Sequence, residues 1–150
     1  MKLTITTPLA IAVEADDVMY LRAEDETGAF GILPGHADFL TALSVSVASW
    51  HDDRGTERHV AVRGGMLEVR GGSAIAIASL EAVVGDDLHQ LESEALTRFR
   101  QQLAEEQTAR ADAQRLYVAA IRQIIRFLRN ERAPATPGGP AVRSPKVSEP

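Results

Sequence analysis

The sequence predicts an α+β protein, in which an N-terminal antiparallel β-sandwich of short strands is followed by a C-terminal α-helical hairpin. Residues 1–87 contain short apolar alternations separated by turn signals, whereas residues 86–133 contain neither Gly nor Pro. A length of 150 residues suits one folded domain with an appendage. We therefore expect a sandwich over 1–87, helices over 88–132 and a Pro-rich tail over 133–150.

The strands are predicted from alternation, because every second side chain of a strand lies on the same face. Turn signals at residues 26–28, 53–55, 64–65 and 71–72 are expected to join these strands. No helix-length pattern interrupts them, which argues against a parallel sheet. The alternating apolar pairs are Leu3 and Ile5, Val45 and Val47, Val60 and Val62, Leu67 and Val69, and Ile75 and Ile77.

The helical part begins at about Leu88, and strong helix formers dominate it as far as Arg132. A single helix over this stretch would be about 67 Å long. Two antiparallel helices that reverse near residues 108–112, with Asp112 as the second N-cap, would instead bury two apolar stripes against each other. We favour the hairpin, although the reversal lacks Gly and Pro. The stripes are Leu88, Leu91, Ala95, Phe99 and Leu103, and then Tyr117, Ile121, Ile124 and Leu128.

The tail over 133–150 holds five of the seven prolines and is predicted to be disordered. An inert tail is the favoured interpretation, and a docking peptide is the alternative.

Composition and charge exclude several classes of function. The chain has no cysteine, which excludes disulfide scaffolds and thiolate catalysis and suits the cytoplasm. A net charge of −5 argues against nonspecific nucleic-acid binding. The charge is uneven, since residues 1–89 carry −8 and residues 90–132 carry +2. No apolar run approaches the roughly 20 residues of a membrane helix, and from residues 1–4 we expect no signal peptide.

No motif of an enzyme emerges. The histidines at 36, 51, 59 and 89 lack metal-ligand spacing, and we expect them to be exposed or to face a partner. The acidic pairs stand beside turn residues rather than apolar ones, whereas acid–base catalysis needs a desolvated carboxylate. The Gly pairs lack the spacing that cradles phosphate, and no serine stands in a nucleophile elbow.

Arginines recur at helical spacing beside the second apolar stripe. They form either a solvated face or a docking face for an acidic protein surface. They are Arg115, Arg122, Arg126 and Arg129.

Two blocks of sequence are far more specific. Residues 28–43 read Gly-Ala-Phe-Gly-Ile-Leu-Pro-Gly-His-Ala-Asp-Phe-Leu-Thr-Ala-Leu, and residues 62–69 read Val-Arg-Gly-Gly-Met-Leu-Glu-Val. Both resemble the epsilon subunit of bacterial F-type ATP synthases, whose layout matches residues 1–132. The resemblance implies a ten-stranded sandwich with a helical hairpin, in the rotor's central stalk beside gamma. It also implies a peripheral position on the cytoplasmic side of the bacterial inner membrane, and coupling of ion flow to ATP synthesis without catalysis.

The resemblance also implies contacts residue by residue. The c-ring contact candidates are Ala29, Phe30, Pro34, Gly35, His36 and Asp38. The family often has a carboxylate where Ala29 or Phe30 stands here, and a Pro where Asp38 stands. That last change frees a backbone N–H and adds a charge. The gamma or stator contact candidates are Arg115, Arg122, Arg126 and Arg129, which would reach the alpha and beta subunits if the helices extend and inhibit hydrolysis. Removing the residues after Gly85 should then raise ATP hydrolysis.

The helices depart from the family. The segment Leu91–Leu96 lacks the Asp and Arg with which some members bind ATP, so we expect no ATP binding and no cofactor. Bulky residues such as Tyr117 and Ile121 stand where the family's helices are usually rich in Ala. In this respect the chain resembles the epsilon subunits of the divergent second F-type ATPases of some bacteria, which are proposed to move sodium ions. The alternative function, from a different class of protein, is that of a stand-alone adaptor whose helical tail forms a coiled coil.

Overall fold

A computed structural model describes residues 1–131 and confirms strands followed by helix. The strands in this part are β1 (Lys2–Thr6), β2 (Ile11–Ala15), β3 (Tyr20–Asp25), β4 (Gly28–Ile32), β5 (Phe39–His51), β6 (Glu57–Arg70), β7 (Ala74–Ala78) and β8 (Ala82–Gly85). Then come α1 (Leu88–Gln90), a π-helical turn (Leu91–Ala95) and α2 (Leu96–Glu131). The predicted tail lies outside the described residues. The chain forms two compact units, Met1–Gln107 and Thr108 onward.

The strands run in the order β2-β1-β7-β6-β5-β3-β4, and β8 pairs with β6. All pairings are antiparallel except that of β1 with β7, which is parallel from Lys2–Ala74 to Thr6–Ala78. The predicted antiparallel sandwich is therefore confirmed in class, with this one parallel pair as a departure that the sequence did not indicate. β1 and β7 are about 70 residues apart in the sequence, so no short turn joins them and they can lie side by side in parallel.

The resemblance implied ten strands, but residues 1–131 form eight. The reason is that β5 and β6 are long, with 13 and 14 residues, and pair from Phe39–Val69 to His51–Glu57. Asp52 closes this hairpin, because its Oδ1 accepts hydrogen bonds from the backbone N–H groups of Arg54 and Thr56. The bond from Thr56 is the main reason that the pKa of Asp52 is lowered.

Gly64 and Gly65 lie inside β6, so the prediction of a strand turn there is wrong. Both have positive φ angles, 66° and 121°, which L side chains rarely adopt. A Cβ on Gly65 would also collide with the backbone oxygen of Ala78. The two glycines instead let one strand pair with β8 through residues 59–62 and with β7 through residues 66–70. The predicted turn at residues 71–72 is confirmed.

The main core lies within the sheet and confirms the predicted alternation. The predicted apolar pair of β1, Leu3 and Ile5, is fully buried. The predicted apolar pairs of β6 and β7 are buried as well. The same cluster also contains Val18, Leu21, Ala23, Ile32, Leu43, Ala48, Trp50, Val60, Val62, Leu67, Val69, Ile75 and Ile77.

A second apolar cluster lies on the other face of β6 and fixes the first helical turns to the sheet. Ala61 packs there with Leu91 and Phe99, and Val45, Val47 and Val83 lie against them. Phe99 has no exposed surface. Asp87 caps the start of α1, since its Oδ1 accepts from the N–H groups of His89 and Gln90. Of the first predicted stripe, Leu91, Ala95 and Phe99 are therefore buried against the sheet, whereas Leu88 and Leu103 at its two ends are about 40% exposed.

An ion-pair network ties α2 to the same unit. Arg63 on β6 donates a hydrogen bond of 2.8 Å from Nη1 to Oε1 of Glu106 on α2. Its Nε lies 3.3 Å from Oε2 of Glu81, a charge contact without a hydrogen bond. Arg98 reaches Glu81 at 3.8 Å. Arg63 is largely buried, so this arginine brings β6, the β7–β8 loop and the helix together.

The helix does not turn back in the described part of the chain, so the hairpin prediction is wrong. α2 is continuous from Leu96 to Glu131, and Asp112 lies within it, 3.6 Å from Arg115, rather than at an N-cap. Because residues 86–133 contain no Gly or Pro, nothing ends the helix near residue 110. The second predicted stripe is consequently exposed, with Tyr117 at 68%.

One histidine also differs from expectation. His59 is buried on β6 beside Ser49 of β5, and Ser49 Oγ lies 2.7 Å from His59 Nδ1. The serine satisfies the ring nitrogen, so burial costs little. The prediction that all four histidines are exposed or face a partner is wrong for this one.

We expect Phe99→Ala to lower the free energy of unfolding by about 3–5 kcal/mol, because a fully buried ring is lost and a cavity remains. Urea unfolding followed by circular dichroism measures the change. The matched control is Phe127→Ala on the same helix, where the ring is 64% exposed and the expected change is within about 0.5 kcal/mol. Equal losses in the two variants would contradict the docking of the first helical turns.

Candidate interaction surface

The most specific sequence block forms the connection between β4 and β5. Leu33, Pro34, Gly35 and His36 make a turn, in which the N–H of His36 donates 3.1 Å to the oxygen of Leu33. Gly35 has a φ of 83°. Pro34 fixes the φ angle that precedes it in such a turn, and Gly supplies the positive φ that follows. The Pro-Gly-His sequence therefore dictates the local shape.

A neighbouring turn braces this loop. The N–H of Gly35 donates 2.8 Å to the oxygen of Gly72, and Asp38 Oδ1 accepts 2.7 Å from the N–H of Gly71. A Cβ on Gly72 would lie only 2.7 Å from Gly35 Cα, so the two backbones approach as closely as glycine allows. Asp38, which stands where the family has Pro, thus connects the β4–β5 loop to the β6–β7 turn.

Three rings connect the loop to β4. Phe39 lies between Phe30 and His36, with ring centroids 5.6 Å and 5.7 Å away and both contacts edge-to-face. Such contacts favour one relative orientation of the rings. His36 Nδ1 is 2.7 Å from the oxygen of Ala37 and donates to it in this arrangement. Five of the six predicted c-ring contact candidates are therefore brought together: Phe30, Pro34, Gly35, His36 and Asp38.

Ala29 is the exception. It lines a separate cavity of about 360 Å³ between β3, β5 and the first helical turns, with Ser46, Leu88 and Leu96. Its neighbour Phe30 faces the other way, since side chains alternate along a strand. The structure does not place Ala29 with the other candidates.

Asp25 holds the β3–β4 hairpin to the start of β5. Its Oδ1 accepts from the N–H and hydroxyl of Thr27, and its Oδ2 accepts 2.8 Å from the hydroxyl of Thr41. The hydrogen bond from the Thr27 side chain is the largest cause that lowers the pKa of Asp25, and that from Thr41 is the next. The carboxylate is therefore ionised at neutral pH and keeps β4 in place beside the loop.

Apolar side chains stand out of this surface into solvent. Leu33 and Leu40 are 59% and 63% exposed. Glu68 and Arg70 lie across a shallow groove from Asp38 and Leu40, paired at 2.7 Å. We call residues 33–40 with 68–72 the loop surface. The leucines and this ion pair were missed, although alternation along β5 puts Leu40 on the face opposite to Phe39 and Thr41.

The predicted contact arginines lie on the second unit. All four are exposed and share one side of α2, because their spacings of seven, four and three residues follow the helical period. Arg115 pairs with Asp112 at 3.6 Å, and both side chains are mostly in solvent. They are Arg115, Arg122, Arg126 and Arg129.

Among residues 1–131, no cluster of three or more His, Asp or Glu side chains is close enough to hold a metal ion. Over the same residues, no helix has a stretch apolar enough to cross a bilayer.

Comparisons with known proteins agree with the two sequence blocks. The family model for "ATP synthase, Delta/Epsilon chain, beta-sandwich domain" matches residues 1–84, which include the whole loop surface. The "ATP synthase epsilon chain 2" of Paraburkholderia xenovorans is 42% identical over 135 residues, covering 90% of this chain and 97% of that one. The protein of the same name from Cereibacter sphaeroides is 38% identical over 134 residues, covering 89% and 90%.

A chain in the structure of Euglena gracilis mitochondrial ATP synthase has a similar fold, with a TM-score of 0.54 at 22% identity. The likeness covers 64% of this chain and 61% of that one. The resemblance is therefore confirmed: this chain belongs to the ATP synthase delta/epsilon family and is of the epsilon type, a regulatory or stalk subunit rather than a catalytic one.

Proposed function

We propose that this chain is a non-catalytic central-stalk subunit in the rotor of an F-type ATP synthase, on the cytoplasmic face of the bacterial inner membrane. It links gamma to the c-ring and couples ion translocation to ATP synthesis and hydrolysis. The observation that carries the proposal is the family match over residues 1–84, which spans the loop surface. The stand-alone adaptor would leave that match unexplained.

The loop surface supplies the c-ring contact in this proposal. A subunit that transmits torque needs contact loops that do not yield, and this loop is fixed by two hydrogen bonds to the β6–β7 turn and by a row of three rings. Exposed Leu33 and Leu40 provide apolar area, and the Glu68–Arg70 pair provides a polar rim. Interfaces are commonly built in this way, with an apolar centre and a polar edge.

We expect the double variant Leu33→Glu, Leu40→Glu to weaken binding to the c-ring by about 2 kcal/mol or more, because charges replace apolar contacts at an interface. Co-purification of the tagged chain with the c-ring measures this, as does ion pumping per ATP hydrolysed in the reconstituted enzyme. Leu9→Glu is the control, since Leu9 is 96% exposed in the β1–β2 connection, outside the loop surface. Equal retention of the c-ring by the double variant and the parent would contradict the assignment.

The bracing bond of Asp38 can be tested separately. Asp38→Ala removes the acceptor for the Gly71 N–H and should lower ion pumping at unchanged ATP hydrolysis, because the loop yields under load. Asp38→Asn keeps an oxygen at the same place and should pump nearly as the parent does. If the Asn variant fails as badly as the Ala variant, the charge rather than the hydrogen bond is what matters, and the bracing role is wrong.

The arginine side of α2 supplies the second contact in this proposal, toward gamma or the acidic surface of the alpha and beta subunits. Pairing of guanidinium with carboxylate favours such a complex, and the pairs gain strength when water is excluded. In this proposal α2, as one continuous helix, inhibits hydrolysis through these contacts.

We expect truncation after Gln107 to raise ATP hydrolysis by the assembled enzyme. Cutting after Gly85 is a poorer test, because it removes Leu91, Leu96 and Phe99 from the second cluster and leaves Ala61 uncovered. The variant Arg122→Glu, Arg126→Glu should raise hydrolysis as the truncation does, whereas Arg122→Lys, Arg126→Lys keeps the charge and should change it less. Unchanged hydrolysis in the truncated enzyme would leave the helix without an inhibitory role.

A further inference from the structure

The second half of α2 has two chemically different sides. Residues 113–130 contain four arginines and neither Asp nor Glu. At about 100° per residue, the arginines share an arc of about 60°. On the opposite side, six large apolar side chains share an arc of about 160°. They are Tyr117, Ile121, Ile124, Ile125, Phe127 and Leu128.

The apolar side is uncovered in the described part of the chain. Tyr117 is 68% exposed and Phe127 is 64% exposed, and the other four lie between 38% and 58%. Scattered exposed leucines are ordinary, but a continuous apolar side on a helix marks a binding surface. Phe99, on the same helix, is by contrast fully buried in the second cluster, where side chains of the sheet and of the helix surround it.

The width of this side helps to identify its partner. Tyr117, Ile121, Ile124 and Leu128 follow the spacing of four, three and four residues that a coiled-coil seam uses. The positions beside such a seam are usually charged, but here they hold Ile125 and Phe127. A two-stranded coiled coil would leave these two partly in water, so the side is wider than a second copy needs.

An acidic protein surface accounts for only half of the segment, because it engages the arginines and leaves the apolar side in water. The surface of an anionic bilayer accounts for both sides. Interfacial helices place an apolar face at the boundary of headgroups and acyl chains, with Lys and Arg on the polar face. Long arginine side chains extend from there to lipid phosphates.

We propose that residues 113–130 bind the surface of an anionic phospholipid bilayer as a helix that lies in the plane of the interface. The segment attaches without spanning, because its four arginines are spaced along its whole length. This binding is a property of the chain by itself and goes beyond the stalk function, so either can fail alone.

The test uses the purified full chain and vesicles, with bound and free protein separated by sedimentation. We expect binding to vesicles of phosphatidylcholine mixed with phosphatidylglycerol, and weak binding to phosphatidylcholine alone. Added salt should release the chain in part, since it screens the arginines but not the apolar contacts. The variant Tyr117→Trp should show a blue-shifted emission with the anionic vesicles, against the constant background of buried Trp50.

Two variants with the same change in charge separate apolar burial from electrostatics. Ile124→Glu adds a carboxylate on the apolar side and should lower the vesicle partition coefficient at least about tenfold more than the matched control. That control is Ala119→Glu, which adds its carboxylate at an exposed position on the arginine side. Replacing Arg122 and Arg126 by Gln should lower partition to anionic vesicles about fivefold per residue. Circular dichroism checks that all variants remain helical.

Several results would overturn the proposal. One is the absence of sedimentation with anionic vesicles, and another is an equal loss of binding in Ile124→Glu and Ala119→Glu. Binding to a polyglutamate resin that needs the arginines but not Ile124, without vesicle binding, would assign the segment to an acidic protein. Self-association that Ile124→Glu abolishes, again without vesicle binding, would assign the apolar side to a second copy.

Discussion

The fold depends on the burial of β6 on both of its faces. Val60 and Val62 face the main core, whereas Ala61 between them faces the second cluster, and all three have no exposed surface. A strand of an antiparallel sheet is usually covered on one face only. Here the first helical turns cover the other face, so the strands and the start of the helix form one compact unit. The Arg63 network adds charge pairing at the edge of the same contact.

Local patterns in the sequence predicted the local structure well. Alternation located the buried pairs because side-chain period and burial follow from strand geometry alone. The failures concern contacts between distant residues. Nothing near β1 specifies that β7 should lie parallel to it. Gly64–Gly65 resembled a turn because positive φ is typical of turns, yet a long strand that changes partners needs the same freedom. The buried His59 depends on Ser49 opposite, a pair that only the register reveals.

The part of the loop surface that could be predicted from the sequence is the turn, because its residue types determine its shape. Pro34 and Gly35 fix the shape of the turn, so the motif itself identified most of the surface. Asp38 was recognised as a substitution for Pro, but its role depends on Gly71 of another turn, 33 residues further along the chain. Ala29 and Phe30 were grouped because the family's carboxylate corresponds to one of these two positions, although adjacent strand residues face opposite ways. Sequence proximity is a poor guide to a shared surface on a strand.

The absence of helix-breaking residues explains both the error about the hairpin and the character of the second unit. A hairpin would have hidden the second stripe, but helices commonly end at Gly or Pro, and Ala104–Arg115 contains neither. The helix therefore continues, stabilised over Leu91–Phe99 by burial and favoured beyond Thr108 by strong helix formers and by the Asp112–Arg115 pair. Because side chains on both sides of the second half are exposed, the two sides remain available to partners. The arginines attract any anionic surface from a distance, whereas the wide apolar side favours a partner that can take up all of it. In the contacts proposed for this helix, charge therefore brings the partner close, and the apolar area decides which partner stays bound.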